Sequence, residues 1–193
     1  MKCTITESVL TGFHGQVKKY KQPHATPFSK LAALEAVRLI NENLPIAYAR
    51  GGNIAARTNM QLASALLGLA LGAGKLGAIH GMAFALEAVS DLLHGRCISI
   101  MLPYFTEVNI MGRFHEFIRI AEAPGENMQG LSLYDAAAES AVVVKRLLAT
   151  LYLSIRLSDH GVSQGKLPDL VRYALKLYWW FEPNPRNLSE DDM

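Results

Sequence analysis

The sequence predicts an all-α protein with six to eight helices in a single domain. Apolar residues recur at three- and four-residue spacing along most of the chain, which is the period of an amphipathic helix. No stretch alternates apolar and polar residues between turn signals, as the strands of a sheet would. Glycine and proline pairs interrupt the helical pattern at intervals, and they indicate where one helix ends and the next begins.

Composition and charge exclude several classes of protein. Of the 193 residues, 50% are hydrophobic and only 19% are charged, so the chain has ample material for a core and is not disordered. The formal net charge of +2 argues against a nucleic-acid partner. The longest uncharged run is rich in Gly and Ala and holds several polar residues, so no membrane span is expected. Two cysteines, Cys3 and Cys97, make no disulfide framework, and a cytoplasmic location is expected.

The N-terminal half begins with an irregular, polar segment over residues 1–24. A helix is predicted from residue 28 to about residue 49, and Pro45 is expected to kink or split it. Gly51 and Gly52 then end the helical pattern, and the side chain of Asn53 can cap the helix that follows.

Residues 54–89 are unusually rich in alanine and glycine, and they predict two helices divided near residues 72–74. Glycine inside a helix costs up to about 1 kcal/mol relative to alanine, so several of them need a structural reason. Close approach of another backbone, or the wall of a site, is the usual reason. Residues 90–95 are predicted to be irregular, and they carry Asp91 and His94.

The C-terminal half predicts three further helical segments. Residues 97–123 are predicted to form one helix with a bend at Pro103. Ser132 opens a pattern like a capping box, and the helix after it is predicted to run to about residue 157. Pro168 suits a first helical turn and opens a last helix to about residue 181. The tail, residues 183–193, is polar and predicted to be irregular.

The candidate functional residues are mostly histidines. Six are present: His14, His24, His80, His94, His115 and His160. None of them forms a HExxH or comparable metal signature on spacing alone. His115 lies on an ordinary amphipathic helix, where a structural or solvent-exposed role is expected. His160 is placed to cap a helix C-terminus as a cation, which would be a stabilising role.

His80 and His94 stand out by their context. His80 lies in a Gly/Ala-rich helix with few competing polar groups, and His94 follows that helix closely in sequence. Burying an imidazole without a partner costs on the order of 1–3 kcal/mol. The two rings are therefore expected to be each other's polar partners or to share a metal, and the residue types leave both possibilities open.

Other active-site patterns are not satisfied. The segment Gly72-Ala73-Gly74-Lys75 follows no predicted strand and matches neither GxGxxG nor GxxxxGK[ST], which argues against a nucleotide loop. No GxSxG elbow is present. The carboxylates Glu7, Glu87 and Asp91 are too scattered in the sequence to be assigned as an acid/base couple.

Several of these segments, in this order, resemble iron-containing alcohol dehydrogenases. Residues 77–86 (GAIHGMAFAL) resemble that family's GLxHxMAHxLG helix, and they are followed by Leu93-His94-Gly95 and Ile100-Met101-Leu102-Pro103, which resemble its PHG and LLP segments. Residues 25–29 (ATPFS), the ARxxM segment beginning at Ala56, and Asn184-Pro185-Arg186 also match. The likeness extends from about residue 15 to residue 188.

The resemblance implies a fold and a chemistry. The family has an N-terminal nucleotide-binding domain and a C-terminal all-helical domain, and residues 1–193 look like the helical metal and substrate domain alone. Its divalent metal, Fe²⁺ or Zn²⁺, is held by one Asp and three His and polarises the substrate oxygen while hydride passes to or from NAD(P). The resemblance places His80 and His94 on two of the metal-binding histidines.

The chain departs from the family pattern at the other ligands. Aligned without a gap, the family's Asp and first His fall on Thr11 and Gly15, which bind such a metal poorly. A one-residue slip puts His14 on the histidine but leaves Leu10 in place of the aspartate. The second motif histidine, which lies near the substrate and nicotinamide, is Phe84 here. Losing the only anionic ligand is expected to weaken metal binding.

Two function classes follow from this resemblance. In the first, the chain is the metal-binding domain of an NAD(P)-dependent alcohol dehydrogenase, inactive in isolation and dependent on a separate chain for NAD(P). In the second, it is a catalytically degenerate helical module that no longer binds metal. No catalytic residue is assigned in either. Because an apolar, small-residue face has lost its partner domain, a homo-oligomer or a complex with a nucleotide-binding chain is expected.

Overall fold

A computed structural model describes residues 26–71, 77–182, 184 and 186–189. Within these ranges the protein is all-α, as predicted, with no strand. The α-helices are α1 (Pro27–Ala49), α2 (Ile54–Leu71), α3 (Ala78–Val89), α4 (His94–Asn109), α5 (Phe114–Glu122), α6 (Leu133–Thr150) and α7 (Leu167–Lys176). Short 3-10 turns occur at Ile110–Gly112, Leu157–His160, Gln164–Lys166 and Tyr178–Trp180. The irregular segment predicted over residues 1–24 lies outside the described residues.

Side-chain caps begin three of the helices. Thr26 caps α1, with its Oγ1 accepting a hydrogen bond from the Ser29 N–H at 3.1 Å. Asn53 Oδ1 accepts from the Ala56 N–H at 3.0 Å, which confirms the predicted cap of α2. Ser132 Oγ accepts from the Asp135 N–H at 3.1 Å at the start of α6. Each cap satisfies one of the N–H groups that a helix leaves unpaired at its first turn.

Three predicted helices end earlier than the sequence suggested. The last of them ends as α7 at Lys176 rather than near residue 181, and a separate 3-10 turn follows at Tyr178–Trp180. The segment predicted as one helix over residues 97–123 is divided into α4 and α5 by the turn at Ile110–Gly112, and Arg113 leaves the helical region with φ −160° and ψ 54°. The α6 helix ends at Thr150 rather than near residue 157. Its end is a Schellman motif: the Leu153 N–H donates to the Leu148 carbonyl at 3.0 Å, with Tyr152 at φ 56°.

The two interior prolines do not split their helices. The α1 helix continues through Pro45 to Ala49, and α4 continues through Pro103 to Asn109. Leu44 and Ala47, on either side of Pro45, are 2% and 8% exposed and pack against α2. Burial of these neighbours stabilises the helix despite the backbone hydrogen bond that proline removes.

In the described part of the chain, the core consists of two clusters of buried side chains joined by α6. The larger cluster is built mainly from α3 to α7, with Phe117, Ile79 and Ile98 fully buried. The smaller cluster lies where α1 packs against α2. Leu148 of α6 contributes to the larger cluster and Leu147 to the smaller one, so α6 lies between them. None of the helices in the described ranges has an 18-residue stretch apolar enough to cross a bilayer.

Candidate metal site

Helix α3 presents three chemically distinct side chains on one face. His80, Phe84 and Glu87 are spaced four and three residues apart, which places them in successive turns along the same side of the helix. His80 is buried at 1% exposure, whereas Phe84 is 39% exposed. The face therefore runs from the interior to the surface.

His94 meets this face from the next helix. The sequence predicts an irregular loop at His94, but the residue is the first of α4, directly after the N-cap Leu93. Its Nε2 lies 3.2 Å from Nδ1 of His80, and the two rings stack at a centroid separation of 5.3 Å. The structure thus brings together the two histidines that the sequence singled out.

Glu87 completes the group at the other side of His94. One oxygen of its carboxylate, Oε1, pairs with Nδ1 of His94. The side chains of His94 and Glu87 are about one-third exposed, at 33% and 31%. In the sequence Glu87 is one of several scattered carboxylates, although its seven-residue spacing from His80 places both on one helix face.

An aromatic wall borders the histidines. The ring of Phe84 lies 5.0 Å from that of His94 and 5.7 Å from that of Trp180, between centroids. The Trp180 ring is in turn 6.3 Å from His80. Phe84 and Trp180 therefore give the site an apolar side, which limits the access of water to the two imidazoles.

Gly81 allows the C-terminal segment to approach α3 closely. A Cβ atom at this position would lie 2.9 Å from Cε2 of Phe181 and 3.1 Å from Cβ of Trp180. Real Cβ atoms essentially never show the shorter of these contacts. The glycine next to His80 is therefore required for Trp180 to reach the site.

Cys97 lies one turn after His94 but is not suited to be a ligand. Burial, with a smaller contribution from the charge of Glu87, raises the pKa of the Cys97 thiol to about 12. A metal binds the thiolate, and this environment keeps the sulfur protonated at neutral pH.

The donor atoms present fit part of a metal site. Two nitrogens that bind the same tetrahedral Zn²⁺, each about 2.0–2.1 Å from the ion, lie roughly 3.3–3.4 Å apart. This is close to the 3.2 Å between His94 Nε2 and His80 Nδ1. The same separation also accommodates a hydrogen bond between the rings, so both possibilities raised by the sequence remain open. In the described ranges, no group of three or more His, Cys, Asp or Glu side chains could hold a metal ion.

Within the described residues, no other histidine belongs to this group of side chains. His14, the third histidine predicted to bind metal, lies outside the described residues, as does the glycine-rich segment at residues 72–76. His115 is exposed on α5, as expected. His160 does not cap an α-helix; it ends a 3-10 turn, and its Nε2 donates to the carbonyl of Ser154 at 2.9 Å.

Comparison with known proteins identifies the relatives of this fold. Residues 13–193 match the sequence model of the C-terminal part of the Fe-containing alcohol dehydrogenase family. This chain belongs to the Fe-containing alcohol dehydrogenase family. The family assignment explains the order of the segments around His80, His94 and Asn184. Glu87 stands at the position of the last glycine in the GLxHxMAHxLG motif that this helix resembles.

Curated relatives and a solved structure show how much of the family's architecture is present. The chain is 37% identical to 1,3-propanediol dehydrogenase from Klebsiella pneumoniae over 92% of its own length and 46% of the relative's. It is 32% identical to NAD-dependent methanol dehydrogenase from Bacillus methanolicus, again over 92% of this chain and 46% of the relative. The alcohol dehydrogenase from Oenococcus oeni superposes with a TM-score of 0.90 at 31% identity, over 99% of this chain and 50% of that one. This member of the family therefore spans about half the length of the relatives it matches.

Proposed function

We propose that this chain is the metal- and substrate-binding half of an NAD(P)-dependent alcohol dehydrogenase and that it does not oxidise alcohols on its own. The observation that carries the proposal is the contact between His80 Nδ1 and His94 Nε2, from two separate helices. Membership of the Fe-containing alcohol dehydrogenase family supports it. Two of the chain's relatives are a 1,3-propanediol dehydrogenase and an NAD-dependent methanol dehydrogenase, which favour a short-chain alcohol and NAD.

Each side chain of the site has a separate role in this proposal. His80 and His94 would hold a divalent ion, Fe²⁺ or Zn²⁺, and such an ion supplies Lewis-acid polarisation of a substrate oxygen. Phe84 and Trp180 would exclude water from the alcohol carbon, which protects hydride transfer from competing reactions. The NAD(P) itself would be bound by a nucleotide-binding domain, for which the described residues have no counterpart.

The surface around the histidines favours a partner at this face. Large apolar side chains are exposed at the site and beside its residues in the sequence: Phe84 is 39% exposed, Leu93 before His94 is 62% exposed and Trp179 before Trp180 is 51% exposed. Monomers rarely leave a large contiguous apolar patch uncovered. We propose that a nucleotide-binding chain or a second copy of this chain covers the face. A single monomer mass in sedimentation at micromolar concentration, with and without such a partner, would argue against this.

The second candidate function is a helical interaction module that has lost the chemistry. The observation that favours it is the shortage of ligands in the described ranges, where no third metal-binding side chain accompanies His80 and His94. The aromatic ring of Phe84 in place of the second motif histidine points the same way. Metal binding therefore separates the two candidates.

The deciding experiment measures the metal content of the purified 193-residue chain. Elemental analysis follows incubation with Fe²⁺ or Zn²⁺ and removal of excess metal, for the wild type and for His80→Ala and His94→Ala. His115→Ala is the matched control, because that histidine is exposed and distant in the sequence from the pair. We expect about one metal per chain in the wild type and in the control, and none in the two site variants.

Two other outcomes would redirect the proposal. A chain that takes up no metal under any of these conditions would favour the interaction module. Metal that persists in both site variants would place the ion elsewhere. In parallel, the chain alone is expected to give no alcohol-dependent reduction of NAD, and turnover by the isolated chain would refute the claim that it is inactive.

A further inference from the structure

The Glu87 carboxylate links two helices through the ring of His94. Glu87 lies near the end of α3, and His94 is the first residue of α4. The contact joins Glu87 Oε1 to Nδ1 of His94, while the opposite nitrogen of the same ring faces His80. A single imidazole is therefore held at both of its nitrogens.

This geometry determines where the proton of a neutral His94 lies. A carboxylate only accepts hydrogen bonds, so the nitrogen that faces it must carry the hydrogen. That nitrogen is Nδ1 of His94, which donates to Glu87. In the neutral ring, Nε2 is then left with its lone pair directed at Nδ1 of His80, 3.2 Å away.

A histidine in this state is ready to bind a metal. Metal ions are bound by the unprotonated nitrogen, and ligand histidines commonly donate their other N–H to a carboxylate or carbonyl, which fixes the ring orientation and raises its basicity. The Glu87 side chain thus supplies a negative charge beside a site that lacks the family's aspartate at the ungapped position of Thr11.

We propose that Glu87 is a positioning residue for the metal site, holding His94 in the tautomer whose Nε2 carries no proton and can bind the ion that His80 would share. The proposal rests on the proposed function, because it assumes that His80 and His94 bind metal. It goes beyond that function by assigning a role to a carboxylate that would act through His94 without binding the ion itself.

The first test needs no metal. Two-bond ¹H–¹⁵N spectra of the metal-free chain, in mildly alkaline buffer, report which nitrogen of His94 carries the proton. We expect the Nδ1–H form in the wild type and a shift towards the Nε2–H form in Glu87→Ala. Glu107→Gln is the control, because Glu107 also forms a surface ion pair, with Lys145, but does not contact a histidine. An unchanged His94 tautomer in Glu87→Ala would overturn the proposal.

The second test measures affinity for Zn²⁺ by competition with a chelator. Loss of such a supporting carboxylate commonly weakens metal binding by about 10- to 100-fold. We expect Glu87→Ala to fall in this range and Glu87→Gln to lie between it and the wild type, because glutamine keeps an acceptor oxygen but no charge. Far-ultraviolet circular dichroism verifies that each variant is folded.

The variants separate a failure of this inference from a failure of the proposed function. If His80→Ala and His94→Ala lose Zn²⁺ but Glu87→Ala binds it as tightly as the wild type, the positioning role is wrong and the metal site stands. If the histidine variants bind Zn²⁺ unchanged, the proposed function fails first. Equal affinities for Glu87→Ala and the Glu107→Gln control would also refute the positioning role.

Discussion

Asn184 provides the sharpest stability prediction, because it attaches the C-terminal segment to the end of α4. It is 1% exposed, and its Nδ2 donates to Oδ1 of Asn109 at 2.6 Å and to the carbonyl of Arg186 at 2.7 Å. Asn109 is itself fully buried, and its own Nδ2 donates to the carbonyl of Phe105 at 2.7 Å. The two asparagines therefore form one buried network between distant parts of the sequence.

The cost of replacing Asn184 by alanine follows from these contacts. The substitution leaves the buried oxygen Asn109 Oδ1 without this donor, which costs about 1–3 kcal/mol of folding free energy. Loss of the hydrogen bond to the Arg186 carbonyl adds roughly 0.5–1.5 kcal/mol. We expect a loss of about 2–4 kcal/mol in the free energy of unfolding. For a chain of this length that corresponds to a fall of roughly 4–16 °C in Tm.

Urea unfolding followed by circular dichroism measures this loss. The midpoint should fall while the slope m is unchanged, since the unfolded chain exposes nearly the same surface. Asn187→Ala is the matched control, an exposed asparagine three residues further along, and it should change the free energy by less than about 0.5 kcal/mol. A double-mutant cycle with Asn109→Ala should give a coupling energy of about 0.5–3 kcal/mol. If Asn184→Ala matches its control, or if the two changes are additive, the network does not stabilise the fold as described.

Three further predictions concern separate features. Because burial raises the pKa of Cys97 to about 12 from an ordinary 9.0, the unfolded thiol ionises first and stability should fall as pH rises from about 9 to 12. Below pH 9 this contribution is fully present. Unfolding at a series of pH values should show that decline reduced in Cys97→Ala, and equal slopes would contradict the assignment. Gly81→Val should be destabilising by at least about 1–3 kcal/mol, because its Cβ would lie 2.9 Å from Phe181; an unchanged thermal midpoint would mean that the contact is not tight. Ser132→Ala should cost about 1 kcal/mol by removing the acceptor of the Asp135 N–H, and a change below about 0.3 kcal/mol in urea unfolding would show that the cap is dispensable.

Local sequence signals predicted the beginnings of helices better than their ends. The caps at Asn53 and Ser132 were predictable, because a short polar side chain before an apolar-periodic segment has one favoured use. The end of α6 was not predictable, because its left-handed position is taken by Tyr152 at φ 56° rather than by glycine. Burial of Leu153 against the core accompanies this turn, and that contact is tertiary information.

The site shows the same division between local and long-range information. His80 and His94 were found from their context and from the family motif, and the structure places them in contact. Glu87 was missed, because recognising it required knowing that His94 begins α4 and turns back towards α3. Trp180 was also missed, since nothing in the sequence indicates that the C-terminal turn packs against Gly81. Pairing across separate elements was thus the part that the sequence did not predict.

The division of the core into two clusters has a consequence for how the protein opens. Regions of a structure that share few buried contacts can unfold locally at less than the global free energy. The α1–α2 pair forms most of the smaller cluster, to which α6 and its C-cap add Leu147 and Leu151. Val37 and Leu34 of α1 pack in the larger cluster. His80 lies outside that pair, on the helix at the centre of the larger cluster. Amide hydrogens of α3 and α4 should therefore exchange only on global unfolding, whereas those of α1 and α2 exchange earlier, and the histidine pair stays assembled during the most frequent openings of the chain.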